Sequence, residues 1–143
     1  MIKIEVSYSG LKIQDFKIEP LMRSLVRDVT EYAYLLARFE EAPERTGRLK
    51  RSIKRKVRGT KGEVRAEAPY AVFVEKGTRP HIIRPVRARA LRFQVGGEIV
   101  FAKLVHHPGT KPNPFMRRAA ERTAQKIPDL FGKVWRKHVA LYS

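Results

Sequence analysis

The chain has 143 residues, enough for one domain (1–143) with its own core, and no cysteine, which excludes disulfide staples and thiolate metal sites. Its 31 bases against 14 acids give a net charge of +17, with 24 of those bases and only 6 of the acids in residues 46–143. Such a balance suggests an acidic partner, whether nucleic acid, a membrane surface or an acidic protein; the alternative is the basic surface of a thermophile or of a basic proteome. The longest apolar patch, YAYLLA at 32–37, is too short to span a bilayer, and MIKIEVSYSG lacks a signal peptide's apolar stretch. The expectation is a soluble protein of a reducing compartment, without membrane contact.

The first segment, 2–8, alternates Ile2, Ile4, Val6 and Tyr8 with polar residues, the period of a half-buried strand that Ser9-Gly10 ends. LKIQDFKI (11–18) is a second strand or part of a loop. Pro20 suits the first turn of a helix, and Leu21, Leu25, Val29, Tyr32, Leu36 and Phe39 then step by three or four. That stripe predicts a core helix of about twenty residues, stopped by Pro43.

Thr46 is placed to cap a short helix that buries Leu49 and Ile53 and turns Arg48, Lys50, Arg51 and Lys54 elsewhere. SIKRKVRG and GEVRAEA read as two strands about a GTKG turn (59–62). Seven of the eleven residues from Arg48 to Arg58 are basic, which makes either a solvated face or a phosphate-facing strip. In APYAVFVEKGT (68–78), Pro69 suits a helix start and Gly77 a helix end, giving a mini-helix that buries Tyr70, Phe73 and Val74; a strand is the alternative.

Residues 79–90 carry Pro80, Pro85, Arg79, Arg84, Arg87 and Arg89, an extended basic loop that projects as an arm, with Ile82, Ile83 and Val86 to bury. ALRFQVGGEIVFAKLV (90–105) is a hairpin about Gly96-Gly97. A two-residue turn sets Phe93 opposite Val100, and a three-residue turn sets it opposite Phe101. The second strand is apolar on both faces, as in a central or interface strand. Asn113 and Pro114 start a helix through Phe115 and Ala119; Pro128 interrupts it, and Asp129 starts a last helix with Leu130, Phe131, Val134, Trp135, His138 and Leu141.

No arrangement of His81, His106, His107 and His138 has metal-ligand spacing, and no phosphate-cradling glycine loop or nucleophile motif appears. The expectation is no enzyme, no cofactor and no metal. Two other readings stay open: a sequence-nonspecific nucleic-acid-binding protein, and a small basic ribonuclease working through His81, His106 or His107.

Four segments in order, TGRLKRSI, APYAVFVEKGT, ALRF…GEIVFAK and HPGTKPNPFMRRAAE, resemble the minor tail component family of the tailed-bacteriophage head–tail neck, the tail-completion proteins. The likeness covers about residues 46–122, with Lys76 standing where an aromatic or apolar residue fits the pattern. It implies an α+β fold, a small antiparallel sheet packed against a long N-terminal helix with C-terminal helices. It also implies a virion protein assembled in the host bacterium's cytoplasm. That protein forms rings with copies of itself and meets neighbouring neck and tail proteins around the DNA channel.

The sequence writes Gly-Thr-base-Pro twice, at 77–80 and 109–112, on either side of the hairpin. The two copies are either ordinary turns, with Gly for positive φ and Pro for stiffness, or docking surfaces, since proline-stiffened loops lose little entropy on docking. Arg79, Pro80, His81, Arg84, Pro85, Lys111, Pro112, Phe115 and Arg117 are therefore the candidates for contact with other subunits. Arg48, Lys50, Arg51, Lys54, Arg55, Arg87 and Arg89 are the candidates for phosphate contact on double-stranded DNA.

Overall fold

A computed structural model describes residues 2–7, 18–44 and 47–141. The expectations for Tyr8, Ser9-Gly10, residues 11–17 and the Thr46 cap lie outside them. The fold is α+β: strand β1 (Ile2–Ser7), helix α1 (Ile18–Leu35), a π-helical turn (Leu36–Glu41), short helix α2 (Arg48–Ser52), strands β2 (Ile53–Arg58) and β3 (Lys61–Ala66), and short helix α3 (Ala71–Lys76). Strands β4 (His81–Ile83), β5 (Leu91–Val95), β6 (Glu98–Ala102) and β7 (Val105–His107) and helix α4 (Phe115–Ala140) follow.

One antiparallel sheet, ordered β1-β3-β2, lies against α1, which also packs on α4. The alternation read from the sequence sets the inner face of β1, with Ile2, Ile4 and Val6 each less exposed than its neighbours. The register stacks those residues beside Ala66, Val64 and Gly62 of β3, and then Ile53, Arg55 and Val57 of β2. Gly59-Thr60 makes the two-residue turn between β2 and β3. Gly62 is inside the strand rather than in that turn. A Cβ at Gly62 would collide with the fully buried Thr30 side chain, so the glycine lets α1 approach the sheet closely. Phe115, Ile53, Met116 and Val64 are the largest wholly buried apolar residues.

The α1 stripe is in place for Leu21, Leu25, Val29 and Leu36, but Phe39 is 59% exposed. The reason is the π turn, whose wider winding rotates later residues off the α-helical phase. Its last bond runs from the Ala42 N–H to the Ala37 carbonyl (3.0 Å), and Ala42, preceding Pro43, is extended (φ −67°, ψ 131°). In α3 the buried positions are Ala71 and Glu75, and Phe73 points out at 58% exposure. Pro128 does not divide the C-terminal helix: α4 runs unbroken for 26 residues with the proline inside. Val134 and His138 of its second half are buried, whereas Phe131 and Trp135 stack on each other half-exposed and Leu141 is exposed.

Candidate functional site

Residues 78–110 leave the body as one β arm, much longer than the expected 79–90 loop. Thr78 and Thr110 form an isolated bridge, β4 pairs with β7, and β5 pairs with β6. Gly96-Gly97 makes a two-residue turn, so Phe93 faces Val100. Both glycines have positive φ (58° and 89°), as this tight turn requires. β6 is not central: in this two-stranded ribbon Ile99 is 52% and Phe101 65% exposed, and Val95 on β5 is 56% exposed. Ile82 (49%) and Val86 (95%) likewise face outward, against the expectation that they are buried.

The duplicated Gly-Thr-base-Pro motif closes the root of this arm. The two copies are partners rather than separate turns. Each threonine N–H donates to the other's carbonyl at 3.1 Å, and the two hydroxyl oxygens are 3.0 Å apart. Gly77 (φ 72°) and Gly109 (φ 82°) sit where the chains cross most closely. A Cβ on Gly77 would lie 2.5 Å from the Thr110 carbonyl oxygen and 2.8 Å from Pro112 N; one on Gly109 would press on the Thr78 carbonyl and the Arg79 carbonyl carbon. Just beyond, the His81 and His107 rings stack, with centroids 4.9 Å apart. His107 Nδ1 accepts from the Gly109 N–H at 3.0 Å, and His81 Nδ1 is 2.8 Å from the Arg79 carbonyl oxygen.

The body end of this clasp is held by a residue the sequence reading missed. Glu75, 9% exposed, accepts the backbone N–H groups of Met116 (2.9 Å) and Arg117 (3.0 Å), capping the N-terminus of α4 from α3. Asn113 does not cap: its Oδ1 accepts from Arg118 (2.7 Å), while its backbone N–H donates to Val74 (2.9 Å). Pro114, the residue before the helix, provides no side-chain cap. An acid inside an apolar mini-helix was the available signal for Glu75. A second carboxylate, Glu41 of the π turn, accepts from Arg118 (2.7 Å) and Arg122 (2.8 Å). Those hydrogen bonds, Arg118 first, hold its carboxyl below the ordinary value.

Beside the clasp lies an open groove of about 1420 Å³ between α2, α3 and the arm root. Pro43, Leu49, Tyr70, Phe73, Val74 and Ile83 supply its apolar lining. Among the described residues, its charged lining is Arg48, Arg51, Arg79 and Lys111, with no carboxylate. The Arg48 guanidinium lies 5.7 Å from the centre of the Tyr70 ring.

Of the contact candidates, Arg79, Pro80, His81, Lys111 and Pro112 gather at the clasp; Arg84 and Pro85 are farther along the arm, and Arg117 is exposed on α4. Phe115 is fully buried and belongs to the core, so it presents nothing to a partner. The seven phosphate candidates do not share one face. Arg48 and Arg51 line the groove, Arg87 and Arg89 are on the arm, Lys50 pairs with Glu44 (3.3 Å), and Arg55 pairs with Glu31 (2.6 Å). Lys54 alone joins a larger cationic surface, the outward face of the sheet. There the register sets Lys3, Arg65 and Lys54 in one row, Glu5, Glu63 and Lys56 in the next, and Ser7, Lys61 and Arg58 in the third.

Fold and surface together define a small helix-and-sheet body that carries a clasped, outward-facing β arm. Residues 8–77 match the family described as "Bacteriophage HK97-gp10, putative tail-component", a match consistent with a tailed-phage tail component. The match takes in TGRLKRSI and nearly all of APYAVFVEKGT, and it ends before the arm and α4. No curated protein and no solved structure gave a match. The match supports a structural role in a phage virion, in contact with other tail proteins. Among the described residues, no helix is long and apolar enough to cross a membrane.

Proposed function

We propose that this protein completes or joins the tail at the head–tail neck of a tailed phage or prophage, assembling with copies of itself into a ring around the DNA channel. The observation that carries the reading is the arm. An isolated two-stranded ribbon is marginal in water, and this one exposes Val95, Ile99 and Phe101 without cover from its own body. Covering it with neighbouring subunits turns that cost into assembly energy, while the clasp keeps the root ordered before docking. The role is structural, with no catalysis.

A ring of about six copies gathers roughly a hundred positive charges, which acidic neighbours and DNA must offset. The outward sheet face, with six bases against Glu5 and Glu63, is the surface assigned to DNA.

The test is solution mass together with negative-stain imaging, with and without the neighbouring neck proteins. Rings are expected from the wild-type chain with its neighbours, and not from a Val95→Ser/Ile99→Ser/Phe101→Ser variant with unchanged circular dichroism. Equal assembly by that variant rejects the arm's role. Binding to arbitrary duplex DNA should weaken steeply with salt, and Lys54→Glu/Lys56→Glu should flatten the slope by about two phosphate contacts. A flat salt response in the wild type removes the DNA contact.

A further inference from the structure

We infer that the groove between α2, α3 and the arm root docks an acidic protein segment carrying apolar anchors, supplied by a neighbouring protein other than this chain. The inference deepens the joining role above, on which it rests for the source of the segment, by giving one partner a chemistry and a place.

Size argues first. At about 1420 Å³ the groove exceeds the usual range of small-molecule clefts, roughly 300–1,000 Å³, and suits a length of polypeptide. Its floor argues second. Phe73 sits in the lining yet is 58% exposed, so this half of an apolar contact lacks its other half. Duplex DNA offers a polar, convex phosphate surface and would gain nothing from Phe73, Val74 or Leu49. The cationic outward sheet face is the better match for it.

Charge decides between a foreign segment and a second copy. Arg48, Arg51, Arg79 and Lys111 line the groove, and none of them has a carboxylate partner among the described residues. This chain's own apolar hairpin is a poor occupant. Between Arg84 and Lys103 it carries Arg87, Arg89 and Arg92 as well, against the single acid Glu98. Placing it in a cationic groove sets like charges together. A segment that alternates acids with leucine or aromatic anchors satisfies both the rim and the floor.

The probe is a fluorescein-labelled synthetic peptide alternating Glu with Leu and Trp, read by fluorescence anisotropy on the full chain. Its controls replace Leu and Trp with Ser, or Glu with Lys. The first peptide should bind saturably and both controls at least about tenfold more weakly. Phe73→Ser, which alters an exposed side chain, and Arg79→Glu/Lys111→Glu should each weaken it about tenfold with unchanged circular dichroism.

Any of these results would overturn the inference: no saturable binding, equal binding of either control, indifference to both variants, or displacement of the peptide by duplex DNA at equal phosphate and Glu concentrations. Concentration-dependent self-association of the wild type that Phe73→Ser abolishes would instead assign the groove to a second copy, and would also overturn it. Failure of the peptide while rings still form removes the groove alone. Peptide binding by a chain that never assembles with its neighbours removes the joining role instead.

Discussion

Replacing Glu75 tests whether the body end of the clasp depends on one carboxylate. Its two oxygens accept from Met116 N–H and Arg117 N–H, and α4 has no side-chain cap of its own. Losing a cap costs about 0.5–2 kcal/mol, and a hydrogen bond to a charged group contributes about 1.5–3 kcal/mol. The carboxylate also faces the positive end of the helix dipole, worth up to about 2 kcal/mol where partly buried. These contributions overlap, because all three describe the same two N–H groups and one charge. Glu75→Ala should therefore cost about 3 kcal/mol, or roughly 10 °C in Tm for a chain of this size. Glu75→Gln, which keeps one acceptor oxygen but no charge, should cost about half as much. Urea unfolding followed at 222 nm reads both, with unchanged m-values confirming the same two-state transition. A Glu75→Ala variant within about 0.5 kcal/mol of wild type, or a Gln variant equal to wild type, would refute the capping argument.

The clasp gives a second prediction: Gly77→Ala and Gly109→Ala combine strain at positive φ with collisions against backbone that cannot yield, so each should cost about 2–4 kcal/mol by urea titration. Limited proteolysis should then cut first within 78–110. Gly62→Ala should destabilise by about 3 kcal/mol or more by overpacking against Thr30, and adding Thr30→Ala should recover part of the loss, a coupling that a double-mutant cycle measures. For Glu41 the sign follows from its lowered folded pKa. Its contribution is fully present above the ordinary value of 4.5 and is lost as pH falls through the lower folded value. Glu41→Gln should therefore lower stability near neutral pH and flatten the acid limb of the stability curve, as thermal melts across pH would read.

Local chemistry was readable where a local rule governs. Alternation in β1, the i, i+4 stripe of α1, and the glycines at the β2–β3 and β5–β6 turns each act over a few residues. The misses share a different cause. Phe39 and Phe73 are apolar yet exposed, because a π turn rotates one and the burial of Glu75 on α3 sets the face of the other. Pro128 is a helix breaker by propensity, but the buried Val134 and His138 beyond it hold α4 in register. Glu75 stood out only as an acid in an apolar mini-helix; its capping role was not legible, because its partners lie 41 and 42 residues away. The repeated Gly-Thr-base-Pro could be seen in the sequence; that its two copies bond to each other is a tertiary fact. The cationic sheet face appeared only when register put Lys3, Arg65 and Lys54 side by side.

Because the arm departs and returns at a single threonine bridge, its length is uncoupled from the body's geometry. Lengthening such an excursion adds only about 0.6 kcal/mol of closure entropy per doubling. The same body could therefore be fitted with a shorter, longer or wholly different finger, its reach retuned to a new tail while the scaffold beneath stays untouched.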